Sequence, residues 1–160
     1  STYLQEIARE VKLPCLRKDF TVDPYMIYEA KLLGASAVLL ICAILDTKTL
    51  ASYIETADAL GLSALVEAHD EQEVASAVTA GARVIGVNNR NLKDFTVDIH
   101  NSIRLRACAP SGTIFVAESG IRSPEDVETL RQNGVDAVLV GEQLMRAASP
   151  KAELDRLRGR

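Results

Sequence analysis

The feature that most constrains the fold is a regular alternation between short apolar runs and amphipathic stretches along the chain. Ala37–Ile41 is a continuous apolar run of the kind that a strand buried on both faces requires. Asp46 and Asp70 can each cap the helix that follows such a run, and Glu73 completes a capping-box pattern after Asp70. Six strand–helix units at a spacing of roughly 25 residues therefore predict a parallel sheet in an α/β protein.

Two architectures are compatible with this series: an open doubly wound sheet and part of a (β/α)8 barrel. An open sheet that binds a nucleotide should carry a glycine-rich phosphate turn after its first strand, whereas Lys18-Asp19-Phe20 follows the first apolar run here. Nearly every strand ends in polar residues instead, as in barrels that build a site at the C-terminal face. A complete barrel takes about 250 residues. We therefore predict an incomplete TIM barrel of about six parallel strand–helix units, in a single domain over residues 1–160.

The composition argues against several classes of partner. The net charge of −4 and the absence of tryptophan disfavour a broad nucleic-acid surface, and no apolar run is long enough to span a bilayer. Cys15, Cys42 and Cys108 have no metal-ligand spacing, which predicts reduced, buried thiols. We expect a cytoplasmic protein with no nucleic-acid or membrane partner.

Polar side chains at the strand ends form the candidate catalytic group. Side chains alternate across a strand, so Lys18, Glu67 and Asn88 converge on the mouth of the barrel if their strand faces point inward. A lysine and a carboxylate held in a partly dry mouth can shift each other's pKa and act as proton donor and acceptor. Alternatively, each charge is a solvated strand end or half of a structural ion pair.

Glycine-containing turns follow the last two strands, as Glu118-Ser119-Gly120 and Gly141-Glu142. In barrels these two loops often form a phosphate site, because glycine lets oxyanions approach backbone N–H groups. Each glycine could equally serve a plain turn, and Glu142 could be a carboxylate that compensates the helix dipole.

The remaining candidates each have two interpretations. Arg90 could pair with a substrate carboxylate or remain a solvated loop arginine. Phe20 could cover an aromatic ring or pack on the following helix, and Leu39 and Ile41 could line an apolar pocket or belong to the core. His69 has no second histidine or cysteine at ligand spacing, so we interpret it as a loop histidine and predict no metal site.

Five strings, in the right order and at the right spacing, resemble the indole-3-glycerol-phosphate synthase family from about Val11 to the C-terminus. They are Leu16-Arg17-Lys18-Asp19-Phe20 with Asp23-Pro24-Tyr25; Leu65-Val66-Glu67; Ile85-Gly86-Val87-Asn88-Asn89-Arg90-Asn91-Leu92; Val116-Ala117-Glu118-Ser119-Gly120-Ile121; and Val140-Gly141-Glu142 with Leu144-Met145-Arg146. The resemblance implies a (β/α)8 barrel that needs no metal or organic cofactor. It also implies a carbon–carbon lyase of tryptophan biosynthesis, a carboxy-lyase whose substrate is 1-(2-carboxyphenylamino)-1-deoxyribulose 5-phosphate. The family cyclises, decarboxylates and dehydrates that substrate to indole-3-glycerol phosphate.

The resemblance also implies a role for each matching residue. Lys18 would be the general acid of ring closure, Glu67 would take part in the proton transfers of the dehydration, and Asn88 would orient the substrate. The substrate-binding residues would be Phe20, Leu39, Ile41, Arg90, Glu118 and Ser119, and the phosphate-binding residues Gly120, Gly141 and Glu142.

The chain departs from the family at its start. The family's first two strands, with a second catalytic lysine, have no counterpart, and Ser1 to Glu10 resembles the end of the helix before the third strand. Open strand edges and an exposed apolar interior predict that the isolated chain either associates through those edges or is what remains ordered after proteolysis or truncation. We expect negligible activity for the chain alone. The alternatives are a non-catalytic assembly fragment and a sibling phosphate-binding barrel, such as phosphoribosylanthranilate isomerase, which should lack the lysine and glutamate strings.

Overall fold

A computed structural model describes residues 2–91 and 94–159, in which parallel strands alternate with helices. Ser1, Leu92, Lys93 and Arg160 lie outside the described residues, and Leu92 is the last residue of one of the family-like strings. The strands are β1 (Leu16–Arg17), β2 (Ala37–Ile41), β3 (Ser63–Ala68), β4 (Val84–Asn88), β5 (Ile114–Glu118) and β6 (Ala137–Leu139). The helices are α1 (Thr2–Glu10), α2 (Tyr25–Leu32), α3 (Thr47–Ala59), α4 (Glu71–Thr79), α5 (His100–Arg106), α6 (Pro124–Gln132), α7 (Glu142–Arg146) and α8 (Pro150–Leu157).

The order of the strands in the sheet is the same as their order along the chain, and every neighbouring pair is parallel. A doubly wound sheet would reverse its order at a switch point. Right-handed crossovers that always advance in one direction place the connecting helices on a single face of the sheet. The strand order therefore confirms the α/β class and favours the incomplete barrel over the doubly wound sheet.

Alternate residues of β2 belong to two different apolar layers. Val38 and Leu40 lie in the large core between the sheet and the helices. Leu39 and Ile41 point the other way, into a smaller cluster on the inner face of the sheet. The inner cluster also contains Leu65 and Val116, with Leu16, Val84 and Leu139 partly buried against it. The prediction of a strand buried on both faces is thus confirmed for β2.

Side-chain caps start the helices where the sequence predicts them. Asp46 Oδ1 accepts a hydrogen bond from the Thr49 N–H at 2.8 Å, and Asp70 Oδ1 accepts one from the Glu73 N–H at 2.9 Å. The return bond of the predicted capping box is displaced by one residue, because Glu73 Oε2 accepts from the His69 N–H at 2.8 Å. The Glu73 carboxylate is therefore turned back toward the end of β3.

The cysteines are free thiols, but they are less buried than the sequence predicts. Cys15 and Cys42 are half-buried, whereas Cys108 is exposed. The prediction was wrong for Cys108 because α5 ends at Arg106, which leaves Cys108 in the turn beyond the helix. None of the helices within residues 2–91 and 94–159 combines the length and the apolar character that crossing a membrane requires.

Candidate active site

The strand register places the candidate polar residues at one edge of the sheet. Glu67 is the register partner of Gly86, and Asn88 is the partner of Glu118. Partners in a parallel sheet point to the same face, so these residues share the inner face with the small apolar cluster. Lys18 follows β1 directly and joins them from the first strand. The structure therefore brings together the three residues predicted to be catalytic, Lys18, Glu67 and Asn88.

One contact shows that the sheet curls. Lys18 Nζ lies 3.3 Å from Glu118 Oε2, although three strands separate β1 from β5 in the sheet. Neighbouring strands are spaced about 4.8 Å apart, so in a flat sheet β1 and β5 would be about 19 Å apart. Two extended side chains cannot bridge that distance, and the contact requires the curvature of a barrel wall.

Lys18 is shared by two buried carboxylates. Its Nζ lies 3.1 Å from Glu67 Oε2 and 3.3 Å from Glu118 Oε2. The lysine side chain is 38% exposed, whereas those of Glu67 and Glu118 are 5% and 2% exposed. The charged end of Lys18 thus faces the buried carboxylates, and part of its side chain remains in contact with solvent.

The pKa values of the two carboxyl groups are shifted in opposite directions. Burial raises the pKa of Glu118 to about 7, and the negative charge of Glu67 adds to the increase while Lys18 opposes it. Burial also acts to raise the pKa of Glu67, but the contacts with His69 and Lys18 outweigh it and lower that pKa to about 2. For Lys18, burial acts to lower the pKa, yet the charges of Glu118 and Glu67 raise it above the ordinary value. Near neutral pH, the site therefore holds one ionised carboxylate, one ammonium and one carboxyl poised to exchange a proton.

Gly86 makes the room that Glu118 occupies. A Cβ atom at position 86 would collide with Glu118 Oε1 and would lie 3.1 Å from a methyl of Leu65. Both carboxyl oxygens of Glu118 are buried, and beyond the ion pair with Lys18 they have no hydrogen-bond partner among the described residues. A glycine inside a strand often marks such a close approach, which is the sequence signal that could have indicated this contact.

Asn88 and Arg90 connect the carboxylates to the opposite loop. Asn88 Nδ2 donates to Glu67 Oε1 at 3.4 Å, and the Arg90 N–H donates to Asn88 Oδ1 at 3.0 Å, which fixes the orientation of the amide. The Arg90 guanidinium lies 3.1 Å from Glu142 Oε2, and Arg146 lies 3.1 Å from Glu142 Oε1. Arg90 is therefore ion-paired rather than a solvated loop residue.

A cavity of about 590 Å³ opens beside these residues. Its lining includes residues that the sequence singled out: Lys18, Asn88, Arg90, Glu118, Ser119, Gly120, Gly141 and Glu142. Phe20, Leu39 and Ile41 do not line it, since Phe20 is 64% exposed and the two aliphatic side chains are buried in the inner cluster. The cavity thus joins both glycine turns to Lys18, Arg90 and Glu118, while Glu67 and the proposed ring-binding residues are outside its lining.

The turn after β5 has an uncommon backbone. Ser119 and Gly120 both adopt left-handed conformations, with φ angles of 64° and 78°. A Cβ atom at position 120 would collide with Val97, so glycine is required there by space as well as by conformation. Both residues of this turn line the cavity.

His69 is the site residue that the sequence analysis missed. Its ring lies between two carboxylates, with Nδ1 3.0 Å from Glu73 Oε2 and Nε2 3.4 Å from Glu67 Oε1. The Glu67 contact raises the pKa of His69 to about 9, against the effect of burial and with help from Glu73. The available signal was its position two residues after Glu67, on the same face of the chain. Among the described residues, no group of three His, Cys, Asp or Glu side chains is arranged to hold a metal ion.

Comparison with known proteins identifies one family. The family described as indole-3-glycerol phosphate synthase matches residues 1–157. Relatives with the same description include proteins of Ruminiclostridium cellulolyticum, 62% identical over 157 residues, and of Leuconostoc mesenteroides, 55% identical over 156 residues. Each match covers 98% of this chain and 60% of the relative. The chain therefore spans about 60% of the length of these curated relatives.

Solved structures of more distant proteins share the fold. KGPDC from Streptococcus mutans gives a TM-score of 0.75 at 12% identity and covers 98% of this chain and 76% of its own. A mandelate oxidase mutant with an FMN adduct gives 0.74 at 20% identity, covering 97% of this chain and 58% of its own. At these identities the likeness shows the fold alone. The fold is that of a TIM barrel, and this chain forms part of the barrel wall.

Replacing Gly86 with alanine should lower the free energy of unfolding. In Gly86→Ala the new methyl group has to displace the Glu118 carboxyl, and overpacking of this kind costs about 1–3 kcal/mol. Gly112→Ala is the matched control, because a Cβ there meets nothing within 4 Å, and its effect should stay below about 1 kcal/mol. Urea unfolding of both variants measures the difference, and equal midpoints would contradict the close approach.

Glu118→Gln should stabilise the fold more at pH 8 than at pH 5. Between its ordinary pKa of 4.5 and the folded value of about 7, the folded state holds a proton on Glu118 that the unfolded chain has released. Wild-type stability from this group therefore falls as the pH rises through that window, and the glutamine variant escapes the loss. The free energies of unfolding of both proteins at the two pH values test this, with the exposed Glu6→Gln as the control for a lost charge. A variant-minus-wild-type difference that does not change with pH would refute the raised pKa.

Proposed function

The chain belongs to the indole-3-glycerol phosphate synthase family, and from this membership we propose that its site contributes to that family's reaction. The reaction is the cyclisation, decarboxylation and dehydration of 1-(2-carboxyphenylamino)-1-deoxyribulose 5-phosphate to indole-3-glycerol phosphate. One observation carries the proposal: an ammonium shared by an ionised and a protonatable carboxyl, at the wall of a cavity that also contains both glycine turns. The site then belongs to a carboxy-lyase of tryptophan biosynthesis.

Lys18 is the proton donor of ring closure in this proposal. The aromatic carbon that bears the substrate carboxylate bonds to the carbonyl carbon, and the carbonyl oxygen takes up a proton. The raised pKa of Lys18 keeps its ammonium fully protonated at neutral pH, and the cavity wall presents it to a bound substrate. Loss of CO2 then restores the aromatic ring, and a protonated acid beside the new hydroxyl assists its departure as water.

Glu67 and Glu118 divide the remaining proton transfers. Glu67, with its pKa near 2, is ionised throughout the neutral range and is the acceptor in the dehydration. Glu118, with its pKa near 7, can hold a proton on its own carboxyl and pass it to Lys18, which lies 3.3 Å away, once the lysine has given up a proton. Asn88 donates to Glu67 and lines the cavity, so it can hold the substrate beside that carboxylate.

The two anionic groups of the substrate are assigned to residues that line the cavity. We assign the phosphate to the Ser119–Gly120 turn and to Gly141 and Glu142 at the start of α7, where backbone amides can face an oxyanion. Arg90 would receive the substrate carboxylate, which takes the place of the Glu142 carboxylate as its ion-pair partner.

The aromatic ring of the substrate is assigned to the apolar residues beside the cavity. Leu39 and Ile41 belong to the inner face of the sheet below it, and Phe20 is exposed on the loop that follows Lys18.

Three further proposals accompany the function. The free cysteines favour a cytoplasmic location, and the continuous six-stranded sheet favours a single domain over residues 1–160. The net charge of −4 disfavours nucleic-acid and anionic membrane surfaces as partners.

Turnover should require both Lys18 and the part of the family chain that this sequence does not span. Mixed with the unmatched portion of the Ruminiclostridium cellulolyticum relative, the chain should form indole-3-glycerol phosphate, measured by product fluorescence. Lys18→Ala should lower that rate by about 10²–10⁴-fold, the usual contribution of a general acid, while the exposed Lys151→Ala should not change it. The chain alone should show negligible turnover.

Two results would count against the proposal. A rate in the mixture that is the same for Lys18→Ala and wild type would remove Lys18 from the chemistry. A chain that assembles with the added portion and forms no product would support the alternative of a non-catalytic assembly fragment.

We also propose that the isolated chain associates with a second copy of itself through β1 and β6. Each of these strands has a neighbour on one side within the described sheet, and Val138 of β6 is 37% exposed. Unpaired strand edges favour pairing with another chain. Light scattering should give a molar mass that is a multiple of 17.3 kDa, and Val138→Lys should reduce it. A monodisperse wild-type monomer would contradict the proposal.

A further inference from the structure

We propose that His69 is a positioning residue for Glu67, a charged clamp between Glu67 and Glu73 that makes the two carboxyls beside Lys18 chemically different. This inference rests on the proposed function only where it uses Glu67 as a proton acceptor. The protonation states of His69, Glu67 and Glu118, which the inference concerns, do not depend on turnover.

The contacts of the ring favour an imidazolium. Nδ1 faces Glu73 Oε2 at 3.0 Å and Nε2 faces Glu67 Oε1 at 3.4 Å. A neutral imidazole carries a proton on one nitrogen and a lone pair on the other, so either tautomer would aim a lone pair at a carboxylate. The ring is 18% exposed, which leaves little solvent to weaken that repulsion. The doubly protonated ring faces both carboxylates favourably, with Nδ1 hydrogen-bonded to Glu73 and Nε2 ion-paired with Glu67 without a hydrogen bond among the described residues.

The outer side of the clamp is held by several elements. Glu73 Oε2 also accepts from the His69 N–H at 2.8 Å, and Glu73 lies in the first turn of α4, where the helix dipole stabilises a carboxylate. Asp70 caps the same turn. Asn101 of α5 donates through Nδ2 to the His69 carbonyl oxygen at 3.3 Å. The backbone and the ring of His69 are therefore tied to two helices, while its Nε2 points to the site.

The inner side of the clamp decides which carboxyl is ionised. Lys18 lies at almost equal distances from Glu67 and Glu118, 3.1 Å and 3.3 Å, so its charge cannot separate them. Both carboxyls are buried, and burial favours the neutral form of each. His69 contacts Glu67 and not Glu118, which breaks the symmetry. The Asn88 amide also contacts Glu67, but it is neutral, so His69 is the charged group on which the difference between a pKa near 2 and a pKa near 7 depends.

The surroundings of His69 favour its charged form. The titratable and charged groups around it are Glu67 on β3, Asp70 and Glu73 at the start of α4, Asp98 before α5, Arg90 after β4, and Cys42 after β2, whose Sγ donates to the Glu73 carbonyl. Acidic groups dominate this set. Because the pKa of His69 is raised to about 9, its ring is positively charged at neutral pH and loses that charge as the pH rises through this value.

The protonation state of His69 is tested directly by NMR on the whole chain. Ring 15N shifts should show both nitrogens of His69 protonated at pH 7, with His100, the exposed second histidine, as an internal reference. Glu73→Gln should lower the titration midpoint of His69 by at least about one pH unit, because it removes one of the two facing charges. This variant keeps the shape of the side chain and an oxygen that can accept from the His69 N–H, so folding is retained. Glu71→Gln, on the same turn and paired with exposed Arg104, is the matched control and should leave the midpoint unchanged.

The effect on the carboxyls is read from their 13C signals. In His69→Gln the midpoint of Glu67 should rise by at least about one pH unit, and the gap between Glu67 and Glu118 should narrow. A neutral His69 at pH 7, or a Glu67 midpoint that is the same in His69→Gln and wild type, would overturn the proposal. Because none of these signals needs product formation, a failure here is distinguishable from a failure of the proposed reaction.

Discussion

The contact between Lys18 and two buried carboxylates is the interaction on which the rest of the structure depends. A buried charge is tolerated only when it is paired, and this lysine is shared by residues from β3 and β5. To bring the ends of β1 and β5 within reach, the sheet has to curl, and the curl in turn creates the concave inner face on which the cavity opens. Gly86 completes the arrangement, because β4 lies between these strands and any side chain there would occupy the position of Glu118.

The same contact explains why the site has a direction for proton transfer. Two carboxyls around one ammonium would be equivalent in a symmetric setting, and their proton would be shared. Glu67 receives further stabilisation of its charged form from Asn88 and His69, whereas both oxygens of Glu118 are buried without a hydrogen bond among the described residues. An acceptor and a donor thus arise from the same residue type. The protein distinguishes them by the neighbours that the strand register provides.

Much of this arrangement could be predicted from the sequence, because it depends on local patterns. The apolar runs predicted the strands, Asp46 and Asp70 predicted helix starts, and the alternation of side chains placed Lys18, Glu67 and Asn88 at one edge. What escaped prediction depends on pairings between distant segments. The register places Val116 beside Gly86 and Glu118 two residues further along β5, and the Glu118 side chain then turns back over Gly86. Side-chain rotamers also determine that Arg90 pairs with Glu142 across 52 positions. His69 was misjudged for the same reason, since its partner Glu73 is turned back by a displaced helix cap.

The charge balance of the cluster indicates how it would respond to a further cation, such as the second lysine that the family resemblance implies. With Glu118 protonated, the positive charges of Lys18 and His69 equal the negative charges of Glu67 and Glu73, so this five-residue cluster is neutral. Glu67 is already ionised, so an added positive charge would change its protonation state very little. Glu118 has a pKa near neutrality and no hydrogen bond to its oxygens among the described residues, so an added positive charge would act on it first and favour its ionisation. Glu118 is therefore the residue through which the state of this site would depend on the parts of the barrel that complete it.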